Sequence, residues 1–321
     1  MRKVVKIRFG YVSTALNLWE ASPARTITFT RYKELSSKER TKRLREVCQK
    51  NLDATKRMLY YNIAHEIKLY RMSSSIIPLA THKEVEFDYL SEFKNDWEEI
   101  GEIVRLHQLR VSFHPNQFTL FTSPKEHITE SSVNDMVYHY SMLKAMGIEN
   151  NSTINIHIGG AYGDKPSALL RFHENIKHLP NTIKQITTLE NDDKTYTAIE
   201  TLQVCQKEKM MMVFDYHHHL ANLSDEPLNA FIEPILKTWK GFNWPPKIHI
   251  SSPKNENEYR SHADYIDPDY IKLFVNELIP LNTDVDFMIE AKAKDRAALQ
   301  LVEDICKWRG FKRTGEATIT Y

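Results

Sequence analysis

The sequence predicts a single (β/α)8 barrel spanning residues 1–321, and three observations carry that reading. Short apolar runs alternate with helix-like stretches eight times along the chain. Metal-ligand side chains close run after run: His157 in TINIHIGG, Glu190 in QITTLEN, Asp215 in MMMVFDYHHH, His249 in KIHISS and Glu290 in DVDFMIEAK, with His114 in VSFHPNQF before them. No GxGxxG follows a strand, so an open dinucleotide-binding sheet has no support. Strict alternation favours a parallel sheet with helices outside it, and eight units favour closure. In such a barrel every strand end points to one face, where barrel enzymes keep their active sites.

The elements follow in order. Strand 4–12 precedes a helix over Lys38–Asn62, and strand 66–73 precedes one near Tyr89–Leu106. Strand 110–114 leads to a helix near Ser131–Met146, where spacing places Val133, Met136, Val137, Tyr140 and Leu143 on one face. Strands 153–158, 185–190 and 210–215 are followed by helices near Lys165–His178, Tyr196–Lys207 and Pro227–Lys240. Strand 247–251 precedes a long loop and a helix near Pro268–Glu277; strand 286–291 precedes a helix over Lys294–Trp308. The tail RGFKRTGEATITY has no evident role.

Side chains alternate along a strand. Ile154, Ile156 and Ile158 therefore suit the helix layer, and Thr153, Asn155 and His157 point into the barrel. Lys247, His249 and Ser251 share one face, as do Arg110, Ser112 and His114. A lumen this polar is unusual for packing alone.

The composition is that of a globular protein, 41% hydrophobic and 26% charged, with net charge +1. Residues 1–60 hold 15 Lys+Arg against 5 Asp+Glu, and the remainder is correspondingly acidic. Such asymmetry suggests one electropositive face, and an ordinary solvated helix explains it equally well. Three scattered cysteines without a CxxC indicate a reducing compartment, and no run approaches transmembrane length. The expected location is the cytoplasm.

The candidate metal ligands are His82, His114, His157, Glu190, Asp215, His218, His249, His262 and Glu290. This mixed imidazole and carboxylate set suits Mn, Zn, Co or Fe better than Ca or Mg. Nine ligands are too many for one ion and suit two or three. Ion pairs about 3.5–4 Å apart are a standard device of phosphodiester hydrolysis. Taken singly, each residue has a plainer reading: His82 and His262 as surface histidines, Glu190 as a solvated acid, His114 as a strand terminator. The regular spacing argues against that for the set. The three histidines of HHH (217–219) cannot all face one ion. Glu190 and Lys247 are the candidate catalytic residues. An ammonium at Lys247 beside metal ions is disfavoured unless it meets a phosphate, so it is expected to be neutral or carbamylated. The plainer alternative is a lysine one layer below, paired with Asp286.

RFGYVS (8–13), YRMSSSIIPLATH (70–82), SFHPNQF (112–118), NIHIGG (155–160), LENDD (189–193), DYHHH (215–219), KIHISS (247–252), SHADYI (261–266) and MIEAKAKDRA (288–297) run in order over most of the chain. In them the sequence resembles the UV damage endonucleases, relatives of endonuclease IV among the xylose-isomerase-like barrels. The resemblance implies up to three metals, usually manganese. It implies nicking of double-stranded DNA immediately 5′ to UV photoproducts, leaving a 3′ hydroxyl. It carries the nine ligands above onto this chain and points to Tyr11, Gln117 and Phe118 as groups that probe the damaged duplex. Phe118 stands where some relatives have tyrosine, which keeps a stacking face and loses a hydroxyl. Tyr11, Trp19, Phe118 and Phe121 all fall on or beside strand-end loops, where aromatic wedges can replace bases; for Tyr11, next to Gly10, a core position is the alternative. Lys292 and Lys294 are placed to contact phosphate. The expected protein is a monomer without membrane contact. The competing readings are a metal-dependent sugar isomerase or epimerase on the same barrel, and a lesion-binding protein without activity.

Overall fold

The computed structural model describes residues 4–321. Its eight parallel strands are β1 (Lys6–Val12), β2 (Leu69–Arg71), β3 (Arg110–Phe113), β4 (Thr153–His157), β5 (Thr187–Glu190), β6 (Met211–Asp215), β7 (Lys247–Ile250) and β8 (Val285–Ile289). They pair in sequence order, and the β8–β1 and β1–β2 ladders close the barrel. Eight principal helices surround it: α1 (Ser37–Ala64), α2 (Lys94–Leu106), α3 (Glu126–Ala145), α4 (Lys165–Asn175), α5 (Ala198–Glu208), α6 (Leu228–Lys237), α7 (Pro268–Leu278) and α8 (Lys294–Ile305).

Local chemistry sets the helix starts. Ser36 with Glu39, and Thr197 with Glu200, form capping boxes at α1 and α5. Asp164 and Asp267 cap α4 and α7, each with a proline in the first turn. The outward strand residues Phe9, Ile154, Ile156, Phe214 and Phe287 are fully or almost fully buried against the helices in one continuous core. Inside the barrel Val12, Leu69 and Met288 form one separate apolar patch, and Met211 and Val213 form another with Trp239. β1 and β2 approach so closely there that a Cβ on Gly10 would meet the Leu69 carbonyl oxygen at 2.0 Å. This explains the glycine in RFGYVS.

Three features differ from the sequence reading. Helix α3 begins at Glu126, ahead of the expected Ser131, and its buried face is Thr129, Ser132, Met136, Tyr138, His139, Met142 and Leu143. Val137 is exposed instead. Val133, Met136, Tyr140 and Leu143 of the expected face do pack on the core, and Tyr138 beside them donates to the Ser74 carbonyl. Gln185 and Ile186 end a short helix, Asn181–Ile186, so β5 starts only at Thr187. The tail forms a hairpin, β9 (Lys312–Gly315) and β10 (Thr318–Thr320), and β10 pairs antiparallel with the first half of β1. Because β2 covers only the second half of β1, β10 satisfies backbone groups that would otherwise form an open edge.

Candidate metal centre and nucleic-acid interface

The lumen is built in layers. At the bottom, Asp286 accepts from Arg8 at 2.5 Å and from Arg110 at 2.6 Å. Arg110 also lies 4.9 Å from the centre of the Trp239 ring. Above it, Lys247 is fully buried and donates to the Thr153 hydroxyl at 3.3 Å. Burial, with Arg110 and Arg71 nearby, holds the amine well below the usual lysine range. The plainer alternative, a pairing with Asp286, does not form; among the described residues the two arginines occupy that carboxylate.

The top layer converges on Glu190 at the end of β5. Its carboxylate lies 3.2 Å from the His114 ring, 4.0 Å from His157, 3.5 Å from His218 and 3.0 Å from His249. His249 also lies 3.0 Å from Glu290, and His218 lies 3.7 Å from Asp215. Three groups each bring ligand atoms within 4.8 Å of one another: His114, His157 and Glu190; Glu190, Asp215 and His218; Glu190, His249 and Glu290. Every group contains Glu190.

The electrostatics are those of a cation site. Burial opposes ionisation of Glu190, but attraction from His249 and His157 and hydrogen bonds from His114 and His249 outweigh it and hold the carboxyl well below its usual range. Burial opposes charge on His218 and His249 too, yet Asp215, Glu190 and Glu290 raise His218 to about 9, and Glu190 and Glu290 raise His249 to about 9. His114 is pushed by burial down to about 4. Burial raises Asp215, opposed by His218 and helped by Glu190 and Glu290. Two protons thus balance carboxylates that ions would otherwise neutralise.

The donor atoms fit such ions. Asp215 Oδ2, His249 Nε2 and His157 Nδ1 are buried without a hydrogen-bond partner. Orphaned buried polar atoms are costly unless something else satisfies them.

This geometry has counterparts. The chain matches the family described as UV-endonuclease UvdE over residues 7–321. It is 58% identical over 315 residues to a UV DNA damage endonuclease of Bacillus mycoides (strain KBAB4), covering 98% of this chain and 99% of the relative. The chain belongs to the UV-endonuclease family. It is therefore an endonuclease of DNA repair. The crystal structure of SacUVDE superposes with a TM-score of 0.84 at 32% identity, covering 93% of this chain and 98% of that one. An L-ribulose 3-epimerase at 13% identity, with a TM-score of 0.51 over 83% of this chain and 84% of that one, shares the barrel.

The endonuclease brings seven expected ligands together and leaves two outside the groups. His82 stacks on Phe29, ring centres 3.7 Å apart, and its ring bonds the Glu84 amide. His262 sits on a bridge to Pro253, its ring 6.4 Å from that of His218. Of the HHH run, His218 faces the cluster. His217 bonds Tyr270 and His219 packs on Phe214 and Phe231, so two of the three turn away. They lie on a short helix, Tyr216–Ala221, whose start is capped by Asp215 through the His218 amide.

Sequence reasoning missed three supports. Asn155 donates to Glu190 and accepts from Thr188, holding the carboxylate from below. Asn191 exchanges two hydrogen bonds with the Asp215 backbone, both at 2.9 Å. Arg71 pairs with Glu290. Strand parity could have found Arg71, since it lies two residues after inward Leu69 at the end of β2.

The expected DNA contacts divide. Gln117 is exposed and Phe118 is 72% exposed, on a turn in which the Asn116 side chain accepts from the Phe118 amide. Phe118 thus does not pack under its own loop. Lys292 is exposed; Lys294 is half-buried, and burial with nearby Arg71 lowers its pKa. Tyr11 must be corrected: it is fully buried, with its hydroxyl 2.8 Å from Asn62 on α1. With Arg8 and Val12 inward, parity turns Tyr11 outward into the helix layer. Phe121 is likewise buried. The basic face is thinner than its charge count, because Arg43, Arg45 and Lys56 pair with Glu46, Glu92 and the Asp96–Glu99 pair. No helix among the described residues is long and apolar enough to cross a membrane.

Proposed function

We propose that this endonuclease nicks double-stranded DNA immediately 5′ to UV photoproducts, cyclobutane dimers and 6-4 photoproducts, leaving a 3′ hydroxyl. The observation that carries the reading is the sharing of Glu190 by three ligand groups at the strand ends. Two or three divalent ions, manganese first among them, would be held by His114, His157, Glu190, Asp215, His218, His249 and Glu290. His262, beside His218, and His82 are the proposed outer ligands, each having to turn inward. When bound, such ions lower the pKa of a water and stabilise the departing oxygen.

The chain's own residues do the rest. Asn155 and Asn191 fix the orientation of Glu190 and Asp215, as outer partners of ligands commonly do. Lys247 lies under the cluster as a neutral amine or a carbamate. Gln117 and Phe118 fill the gap left by an everted lesion, which is cheaper to unstack than an intact pair. Lys292 and Lys294 contact the flanking phosphates. The protein works as a monomer in the cytoplasm.

Supercoiled plasmid, irradiated and not, tests the reading. Chelated protein should leave both intact, and added Mn²⁺ should restore nicking of the irradiated form alone. Equal nicking of both plasmids, or undiminished nicking by metal-free protein, would overturn it. Sequencing the ends gives the side of cleavage.

A further inference from the structure

The loop that follows β1 opens on the same face of the barrel as the metal cluster, and it holds Trp19 out to solvent. The ring is 83% exposed, the most exposed of the large hydrophobic side chains described. An indole left in water forgoes the burial that normally stabilises it. Lone exposed apolar residues are common on mobile loops, but this loop is tied down at every turn. Buried Asp295 accepts from the Leu16 amide at 2.6 Å and from the Tyr61 hydroxyl at 2.8 Å. Asn51 accepts from the Arg25 amide and donates to the Arg25 carbonyl, both at 2.8 Å. Arg57 donates to the Trp19 carbonyl at 2.8 Å, Arg25 to those of Glu20 and Ser22, and Arg296 to that of Leu16. Among the described residues none of these three guanidinium groups pairs with a carboxylate, so each fixes the loop and keeps its charge. Glu20 offsets part of it. The result is a rigid indole set among cations.

We infer that Trp19 is a second DNA contact, distinct from the Phe118 wedge, and that it packs on the sugar–phosphate backbone of the duplex arm beside the lesion. The inference rests on the proposed DNA substrate. Two facts favour this occupant. An indole offers an apolar face for deoxyribose and an N–H for a phosphate oxygen, and the surrounding arginines supply the charge that phosphates seek. The loop also lies on the same rim as the Phe118 loop. β1 and β3 flank β2, so at roughly 4.8 Å between neighbouring strands the two loops rise about 10 Å apart. That is about three base steps at 3.4 Å each. On this inference the Phe118 loop takes the lesion, and Trp19 meets intact duplex beside it, with no part in telling damaged from undamaged DNA.

The test measures binding of the full chain under chelation, which blocks cutting, to labelled duplexes with and without a cyclobutane dimer. Trp19→Ala should weaken binding to both by about ten-fold, or 1.4 kcal/mol, with unchanged melting temperature. Trp19→Phe, which keeps the apolar face, should retain most of the affinity. Shortening one arm of the duplex, and not the other, should erase the difference between wild type and Trp19→Ala. Binding by Trp19→Ala within two-fold of wild type on both duplexes would overturn the inference. So would a loss confined to the damaged duplex, which would make Trp19 a lesion reader. If wild type shows no preference for the damaged duplex, the proposed function fails, while the undamaged duplex still reports on Trp19.

Discussion

Glu190 is the residue on which the site turns, because it is common to all three ligand groups and is reached by four imidazoles. Glu190→Gln keeps the shape and removes the charge. It should reduce cleavage below detection and lower bound metal, while affinity for damaged DNA under chelation stays within a few-fold. Wild-type cutting by the variant would return Glu190 to the status of a structural acid. Lys247 poses the other question at this scale. Buried beside Arg110 and Arg71, with a threonine hydroxyl as its hydrogen-bond partner, it has no environment for an ammonium ion. It should be found as a free amine or a carbamate. High-resolution density, or a carbonyl resonance after labelled bicarbonate, would show which; an ammonium in a salt bridge with Asp286 would contradict both.

At the scale of elements, the loop after β3 projects the side chain expected to act on the duplex. Its turn is fixed by Asn116, and Thr119 bonds Asp135 at 2.5 Å, so Phe118 is presented from a braced support. Base–aromatic stacking is worth roughly 1–3 kcal/mol per base. Phe118→Ala should therefore weaken binding to damaged DNA about ten-fold or more and leave metal content alone. Because the ring is already in solvent, melting temperature should hardly move. Equal loss on damaged and undamaged duplexes would reject the wedge.

Over the whole molecule, metal, protons and stability are linked. In the metal-free protein His218 and His249 are raised to about 9 from the ordinary 6.5. The stability they lend is present in full below about 6.5 and is lost as pH rises through about 9. Ion binding needs both rings neutral, so ions compete with protons throughout that window. Metal affinity should rise with pH from about 6.5 to 9, by up to about ten-fold per unit for each proton displaced. The rise in melting temperature on adding Mn²⁺ should be larger at pH 8.5 than at pH 6.5. Calorimetry showing pH-independent affinity would mean that these two imidazoles are not ligands.

The barrel and most of its metal centre were legible because both are periodic in the sequence. Apolar runs at regular spacing specify strands, and a ligand at the end of six of the eight runs specifies one rim whatever the loops do. Parity alone also placed Asn155 and Lys247 in the lumen. Other features lacked a full local signature. Tyr11 reads as a loop-edge aromatic; parity within β1 turns it outward, and Asn62, 51 residues on, supplies the buried partner that its hydroxyl needs. His82 and His218 are the same chemical group, and packing on Phe29 or capping by Asp215 decides which joins the cluster. The tail looked idle because its partner is β1, at the other end of the chain. Arg8, Arg110 and Asp286 meet across three strands, and by holding that carboxylate they leave Lys247 without it. Sequence thus determined which chemistry stands on the barrel rim, since strand period and residue type are local properties. Tertiary structure decided which side chains share an ion, which are buried and which face DNA, since those depend on contacts between segments far apart in the chain.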